Sequence, residues 1–372
     1  MENLTHTLFG LCLAKAGLER TTPLATATLL ISSNLPDVDS VMRLRGSVYN
    51  LDYHRGFTHS FVGIALLAVI FTLVLKYVDS RFRMRADPFG RPIRAWKIFW
   101  LACLGGLGHT FMDFTNSYGV RPLLPFSNRW FYGDLAFVAD PWIWLILGSA
   151  GVWLTRVNAF RSVLWVIIGT GLSFLVALAF REPSASPLAL QPLPVSDITR
   201  AVWFVGLFII IVGAILRFGR RGAKLARYSL VVLVLYYCGL WTARHSALEQ
   251  ARLALPSDSV FSVAVWPTPA NPVLWQAVAA SNNAVYARHV SLASNSDPDW
   301  QEMPVLDGRF VEVLRQSRDG RVFLDFARYT SATVQELDEG YSVAIRDLRF
   351  PLVLNVRLNA ELVVESTDLR WY

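Results

Sequence analysis

The sequence predicts a polytopic membrane protein: an all-α bundle of about eight transmembrane helices, or six to seven if the weakest segments do not cross, followed by an extracytoplasmic β-rich domain. Three observations predict it. Of 372 residues, 53% are hydrophobic and 17% charged, where a soluble domain carries about 25% charged residues. The apolar residues gather in runs long enough to approach the ~30 Å hydrocarbon core of a bilayer. After residue 256 those runs give way to short alternating stretches separated by turn residues.

Four segments, 61–78, 97–114, 162–180 and 201–216, have the length and apolarity of spans. Segments 141–157 and 228–243 are slightly short but strongly apolar, and 5–18 and 22–34 are weaker candidates that could instead pack as a half-buried pair. Orientation follows from loop charge. Arg81, Arg83, Arg85, Arg91, Arg94 and Lys97 lie in one loop, and Arg217, Arg220, Arg221, Lys224 and Arg227 in another. Both are expected on the cytoplasmic side. Alternation then places the N-terminus, residues 34–60, 115–140, 181–200 (with the Pro-rich stretch 182–196) and everything after Arg244 outside. The expected division is a membrane domain over 1–250 and a β domain over 256–372. Strands are expected at 260–266, 274–280, 284–292, 309–315, 322–328, 341–346 and 353–364, with a hairpin at Asp319-Gly320.

The net charge of +7 does not point to nucleic acid. Residues 1–255 hold 25 Lys+Arg against 13 Asp+Glu and residues 256–372 hold 10 against 15, so the basic excess belongs to the membrane half, where it sets orientation. Cys12, Cys103 and Cys238 are scattered through apolar segments and make neither a disulfide frame nor a thiolate site. The N-terminal stretch lacks the basic start of a cleavable signal, so its first apolar helix is expected to remain.

Four of the six histidines fall in the first 110 residues: His6, His54, His59 and His109. His109 and Asp113, four apart on a helix, share one face and can hold one cation between them. Asp37 and Asp39 supply hard oxygen ligands from a Pro-containing turn. Loop charge alone puts His6, Asp37, Asp39, His54, His59, His109 and Asp113 at the same outer interface, and ionisable groups at membrane depth usually line a functional cavity. Imidazole and carboxylate without thiolate suit zinc first, with manganese or iron as alternatives. The ligand number admits one to three ions. Asp39 or Asp134 is a candidate general base, and Arg55 a candidate partner for a substrate phosphate. Each also has a plainer reading: His6 beside a helix cap, His109 and Asp113 as an interhelical pair, Asp37 and Asp39 as turn caps, Arg55 as an interfacial charge, and Asp134 and Asp140 as caps ahead of Pro141.

The runs Asn34-Leu35-Pro36-Asp37-Val38-Asp39, His54-Arg55-Gly56-Phe57-Thr58-His59-Ser60 and Gly108-His109-Thr110-Phe111-Met112-Asp113, in this order with spans between them, resemble the YdjM/YbcI-type predicted membrane-bound metal-dependent hydrolases. The resemblance is strong over residues 1–140 and extends more loosely to the end, where Asn271-Pro272-Val273-Leu274-Trp275 is similar to a feature of the longer members. It implies an integral protein of the bacterial inner membrane with a metal-dependent hydrolase site. The ligand order is also similar to that of bacterial zinc-dependent phospholipase C, although the later histidines of those enzymes have no counterpart here.

The expected function is therefore a metal-dependent hydrolase that uses metal-activated water on a phosphoester or lipid-like substrate at the outer face of the phospholipid bilayer. The alternatives are an ion or proton pathway, or a scaffold whose metal ties helix ends together without catalysis.

Overall fold

The computed structural model describes residues 1–156, 158–178, 197–255, 262–281, 284–293 and 299–371. Helices α1 (Asn3–Lys15) and α2 (Ala25–Ser32) form a short hairpin. At 1.5 Å per residue they reach about 20 and 12 Å, too short to cross the ~30 Å core. The prediction of eight crossings is corrected accordingly, and the half-buried pair is the form the N-terminus takes. A 3-10 helix, Leu35–Arg45, and a short helix α3 (Ser47–Tyr53) follow.

Helix α4 (Phe61–Val78) starts at Ser60, whose hydroxyl accepts the Gly63 amide at 3.0 Å. It runs on through a π turn into α5 (Met84–Ala86). Then come α6 (Ala95–Phe114), α7 (Pro141–Thr155), α8 (Ala159–Leu178), α9 (Asp197–Ile215) and α10 (Ala223–Leu253). Four helical stretches among the described residues are long and apolar enough to cross: Phe61–Ala86, α8, α9 and α10. Helix α7 is apolar but 15 residues long, and α6 has the length but carries His109 and Asp113. Asp140 caps α7, its carboxylate accepting the Trp142 amide at 2.9 Å with Pro141 in the first turn, which bears out the cap reading of that residue. The Pro-rich stretch 182–196 lies outside the described residues.

Small residues set the spacing within the N-terminal hairpin and of the hairpin against α6. A Cβ at Gly105 would run into the Ser32 hydroxyl, and one at Gly10 would stand 2.6 Å from the Leu29 carbonyl oxygen. Only hydrogen fits at those two positions, so α1, α2 and α6 approach closely.

The C-terminal region holds two four-stranded antiparallel sheets in sequential order. The first is β1 (Ser262–Thr268), β2 (Asn271–Ala280), β3 (Val285–Ser291) and β4 (Gln301–Met303). The second is β5 (Thr330–Leu337), β6 (Gly340–Asp347), β7 (Leu352–Asn359) and β8 (Val364–Trp371). Between them lie α11 (Gly308–Gln316) and α12 (Arg318–Phe326). The expected strands 309–315 and 322–328 and the hairpin at Asp319-Gly320 are thus corrected to helices. The buried pairs Phe310/Leu314 and Phe323/Phe326 recur at helical spacing, and Ser317 caps α12 by accepting the Gly320 amide at 3.0 Å.

The two regions share surfaces. Leu51 of α3 and Tyr118 are buried in one cluster with Phe310, Phe326 and Leu354. Ala247 and Ala251 near the end of α10 pack on Val265, Trp275 and Val290 of the first sheet.

Candidate metal centre

Three short segments converge where the hairpin meets the end of α6 opposite the basic loops. The 3-10 helix brings Asp37 and Asp39, the turn after α3 brings His54, Arg55 and His59, and the last turns of α6 bring His109 and Asp113. Asp37, His59, His109 and Asp113 could together hold a metal ion, as could Asp37, Asp39 and His54, with Asp37 common to both groups.

The first group is tightly drawn. His59 Nε2 lies 3.1 Å from His109 Nε2, 3.4 Å from Asp37 Oδ1 and 3.4 Å from Asp113 Oδ2. His109 Nε2 lies 3.5 Å from Asp37 Oδ1 and 3.3 Å from Asp113 Oδ2. Both rings are anchored by their far nitrogens. His109 Nδ1 donates to the Ser33 carbonyl at 2.7 Å, and His59 Nδ1 stands 3.2 Å from Asp39 Oδ2. That is the arrangement by which outer partners aim ligand imidazoles. Asp113 Oδ2 is buried without a hydrogen-bond partner, and buried carboxylate oxygens are rarely left so. The residues present therefore fit a cation.

Electrostatics agree. Burial works against charge on Asp37 and Asp39, yet the facing imidazoles, His109 and His59 for Asp37 and His54 and His59 for Asp39, outweigh it and hold both carboxyls well below their usual range. Burial likewise disfavours a charged His59, but Asp113, Asp37 and Asp39 overcome it and push the imidazolium up to about 10. The cluster demands positive charge at that point, whether from a proton or an ion.

The remaining sequence-predicted residues fall into distinct places. His6 is buried and stacks on His109 with ring centroids 3.7 Å apart. Its Nε2 is 3.4 Å from Asp113 Oδ1 and 3.3 Å from the Met1 carbonyl, and the Met1 amine pairs with the same Asp113 oxygen. Arg55, buried and with φ of 57°, donates to Asp113 Oδ1 and to Asn116 Oδ1, both at 2.8 Å, and lies 4.6 Å over the Tyr118 ring. Asp39 accepts from His54 Nδ1 at 2.8 Å, Thr58 Oγ1 at 2.7 Å and the Arg55 amide at 3.1 Å. Asp134 stands apart from both groups, its carboxylate held by Arg328 at 2.9 Å.

Sequence reasoning missed Ser33, Thr58, Asn116 and Tyr118. Thr58 lies inside the histidine run, and Asn116 and Tyr118 belong to the polar stretch directly after Asp113, so the signal was a continuation of motifs already noted. Ser33 acts through its carbonyl and leaves no side-chain trace.

Residues 1–184 match the family model described as YdjM inner membrane protein, so the resemblance read from the histidine and aspartate motifs is borne out over that stretch. An uncharacterized protein, YfhP, of Bacillus subtilis (strain 168) is 23% identical over 354 residues, covering 92% of this chain and 84% of that protein. No solved structure matches the chain. With its apolar helices, the chain is a membrane protein whose buried Asp/His cluster could hold a metal ion.

Proposed function

We propose that this protein is a metal-dependent hydrolase of the bacterial plasma membrane, with zinc as its resident ion and a phosphoester or lipid-like substrate. The C-terminal domain is assigned to the extracytoplasmic side by the charge of the loops opposite it. One observation carries the reading. The five distances linking His59 Nε2 and His109 Nε2 to each other and to the two carboxylates run from 3.1 to 3.5 Å. A regular tetrahedron with zinc bonds of about 2.0–2.1 Å has edges of about 3.3 Å.

A divalent ion there supplies Lewis acidity and brings the pKa of a bound water towards neutrality. The protein's own groups do the rest. Arg55 keeps Asp113 ionised and turned, leaving Oδ2 free for the ion. Asp39 spends its oxygens on His54, His59 and Thr58 and so orients ligands rather than accepting a substrate proton. His54, at the half-buried edge of the cluster, donates Nδ1–H to Asp39, so its Nε2 carries a lone pair that takes a proton from the attacking water and passes it to the leaving oxygen. Below the cluster the hairpin and α6 close on Ala14, Ala25, Leu29 and Leu101, an apolar floor that favours hydrolysis over an ion pathway.

Elemental mass spectrometry of the detergent-purified chain tests the reading. About one zinc or more per chain is expected, lost in His109→Ala and Asp113→Ala, and a screen of phospholipids and soluble phosphoesters should then find turnover. A wild-type protein that is metal-free and cannot be loaded would overturn it.

A further inference from the structure

The helix that delivers Asp37 and Asp39 has a second face. In a 3-10 helix residues three apart eclipse, and across Leu35–Arg45 the positions sort accordingly. Pro36 and Asp39 are buried, whereas Val38, Val41 and Leu44 are 53%, 55% and 87% exposed. Arg43 and Arg45 at its end are exposed as well. An apolar stripe this open is unusual for water-facing surface and calls for an occupant.

Depth identifies the occupant. Lys97, whose ammonium donates to the Thr21 carbonyl at 3.0 Å, marks the basic edge on α6. His109 stands twelve residues further on, about 18 Å along the helix axis. Its Nδ1 hydrogen bond to Ser33 fixes the start of the 3-10 helix at the same height. A ~30 Å hydrocarbon core still extends roughly 10 Å beyond that level. Elements packed against this helix also show exposed apolar side chains: Ile31 at the end of α2, and Phe57, Phe61 and Val62 at the entry to α4.

We infer that Leu35–Arg45 is an interfacial helix embedded in the bilayer leaflet opposite the basic loops. Val38, Val41 and Leu44 lie among acyl chains, and Arg43 and Arg45 reach lipid phosphates. The half-buried edge of the cluster, Asp37 and His54, then opens into the leaflet beside lipid headgroups. Resting on the hydrolase reading above, this narrows the substrate to a phosphate-bearing lipid entering sideways from that leaflet.

Full-length chains carrying Cys238→Ser (the remaining Cys12 and Cys103 are buried) and one of Val41→Cys, Leu44→Cys or Ser47→Cys are labelled with a nitrobenzoxadiazole dye. They are then placed in nanodiscs of phosphatidylcholine and phosphatidylglycerol. Labels at 41 and 44 are expected to emit to the blue of the label at 47, to be quenched by doxyl-lipid and to be shielded from iodide. Iodide quenching equal to that at 47, with none from doxyl-lipid, would overturn the placement, whatever the metal content. In the double variant Val41→Asp/Leu44→Asp, metal content and turnover of a soluble phosphodiester should hold while turnover of vesicle phospholipid falls about tenfold. Equal loss on both substrates would overturn the sideways entry while leaving the hydrolase standing.

Discussion

Arg55 illustrates what the residue scale adds to a motif. In sequence it sits beside His54 and invites the role of phosphate clamp. In the structure its guanidinium is committed to Asp113 and Asn116 at 2.8 Å each, so its charge serves the ligand set. Arg55→Gln is expected to weaken zinc retention by about 10–100-fold, the usual cost of losing an outer partner, as read by competition with a chelator. Asp113 and His109 were legible because a helix turns an i, i+4 pair to one side. Arg55's role was not, because nothing in a linear motif says which carboxylate a side chain will face. His59 gives a second prediction. Its imidazolium is raised above the ordinary 6.5 to about 10, so near pH 8 the ion-free cluster holds a proton there that an incoming ion must expel. Calorimetry in buffers of differing ionisation enthalpy should show about one proton released per ion bound. In the ion-free protein the same shift stabilises the fold fully below pH ~6.5, and that contribution fades as pH rises through about 10.

At the scale of elements, the outcome depended on which pattern each segment showed. Long apolar helices and the alternating strands β2, β3 and β6 were readable, since burial on one side or on all sides leaves a plain period. Helices α11 and α12 were misread because Val, Phe and Arg alternate locally while the buried set, Phe310/Leu314 and Phe323/Phe326, follows the helical turn. The strand β5 escaped because only Ser331 and Ala332 of its eight residues are buried. The hairpin α1–α2 was seen as two apolar runs, but its own close packing depends on Gly10 and its seating on α6 on Gly105, and neither carries a hydrophobic signal. Gly105→Leu must push Ser32 and the adjacent Ser33 carbonyl away from α6. We expect a loss of about 1–3 kcal/mol, seen as a lower unfolding temperature in detergent, and a larger loss of bound metal than of helical circular dichroism.

Across the whole molecule, the sequence separated a membrane half from a β-rich half but could not show how firmly they join. Arg349 is the clearest fastener: buried, it pairs with Asp347 at 2.6 Å and donates to the Ser117 carbonyl at 2.8 Å and the Phe326 carbonyl at 2.7 Å. Arg349→Met leaves Asp347 buried without its cation, a change that typically costs about 3–5 kcal/mol. Limited proteolysis should then release the C-terminal sheets from the membrane half sooner than in the wild type.

Helix α10 gives that junction a mechanical character. Its 31 residues make a rod of about 46 Å, longer than the bilayer core, and its far end packs on the first sheet through Ala247 and Ala251. Partway along, the Tyr237 hydroxyl rests 3.3 Å from Thr115 Oγ1, next in sequence to the Asn116 that holds Arg55. A twist applied to the sheets therefore has a stiff shaft to travel down, and it arrives one residue from the Asn116 that holds Arg55 against Asp113. Anything that grips the β-rich region also has a hand on the Asp/His cluster.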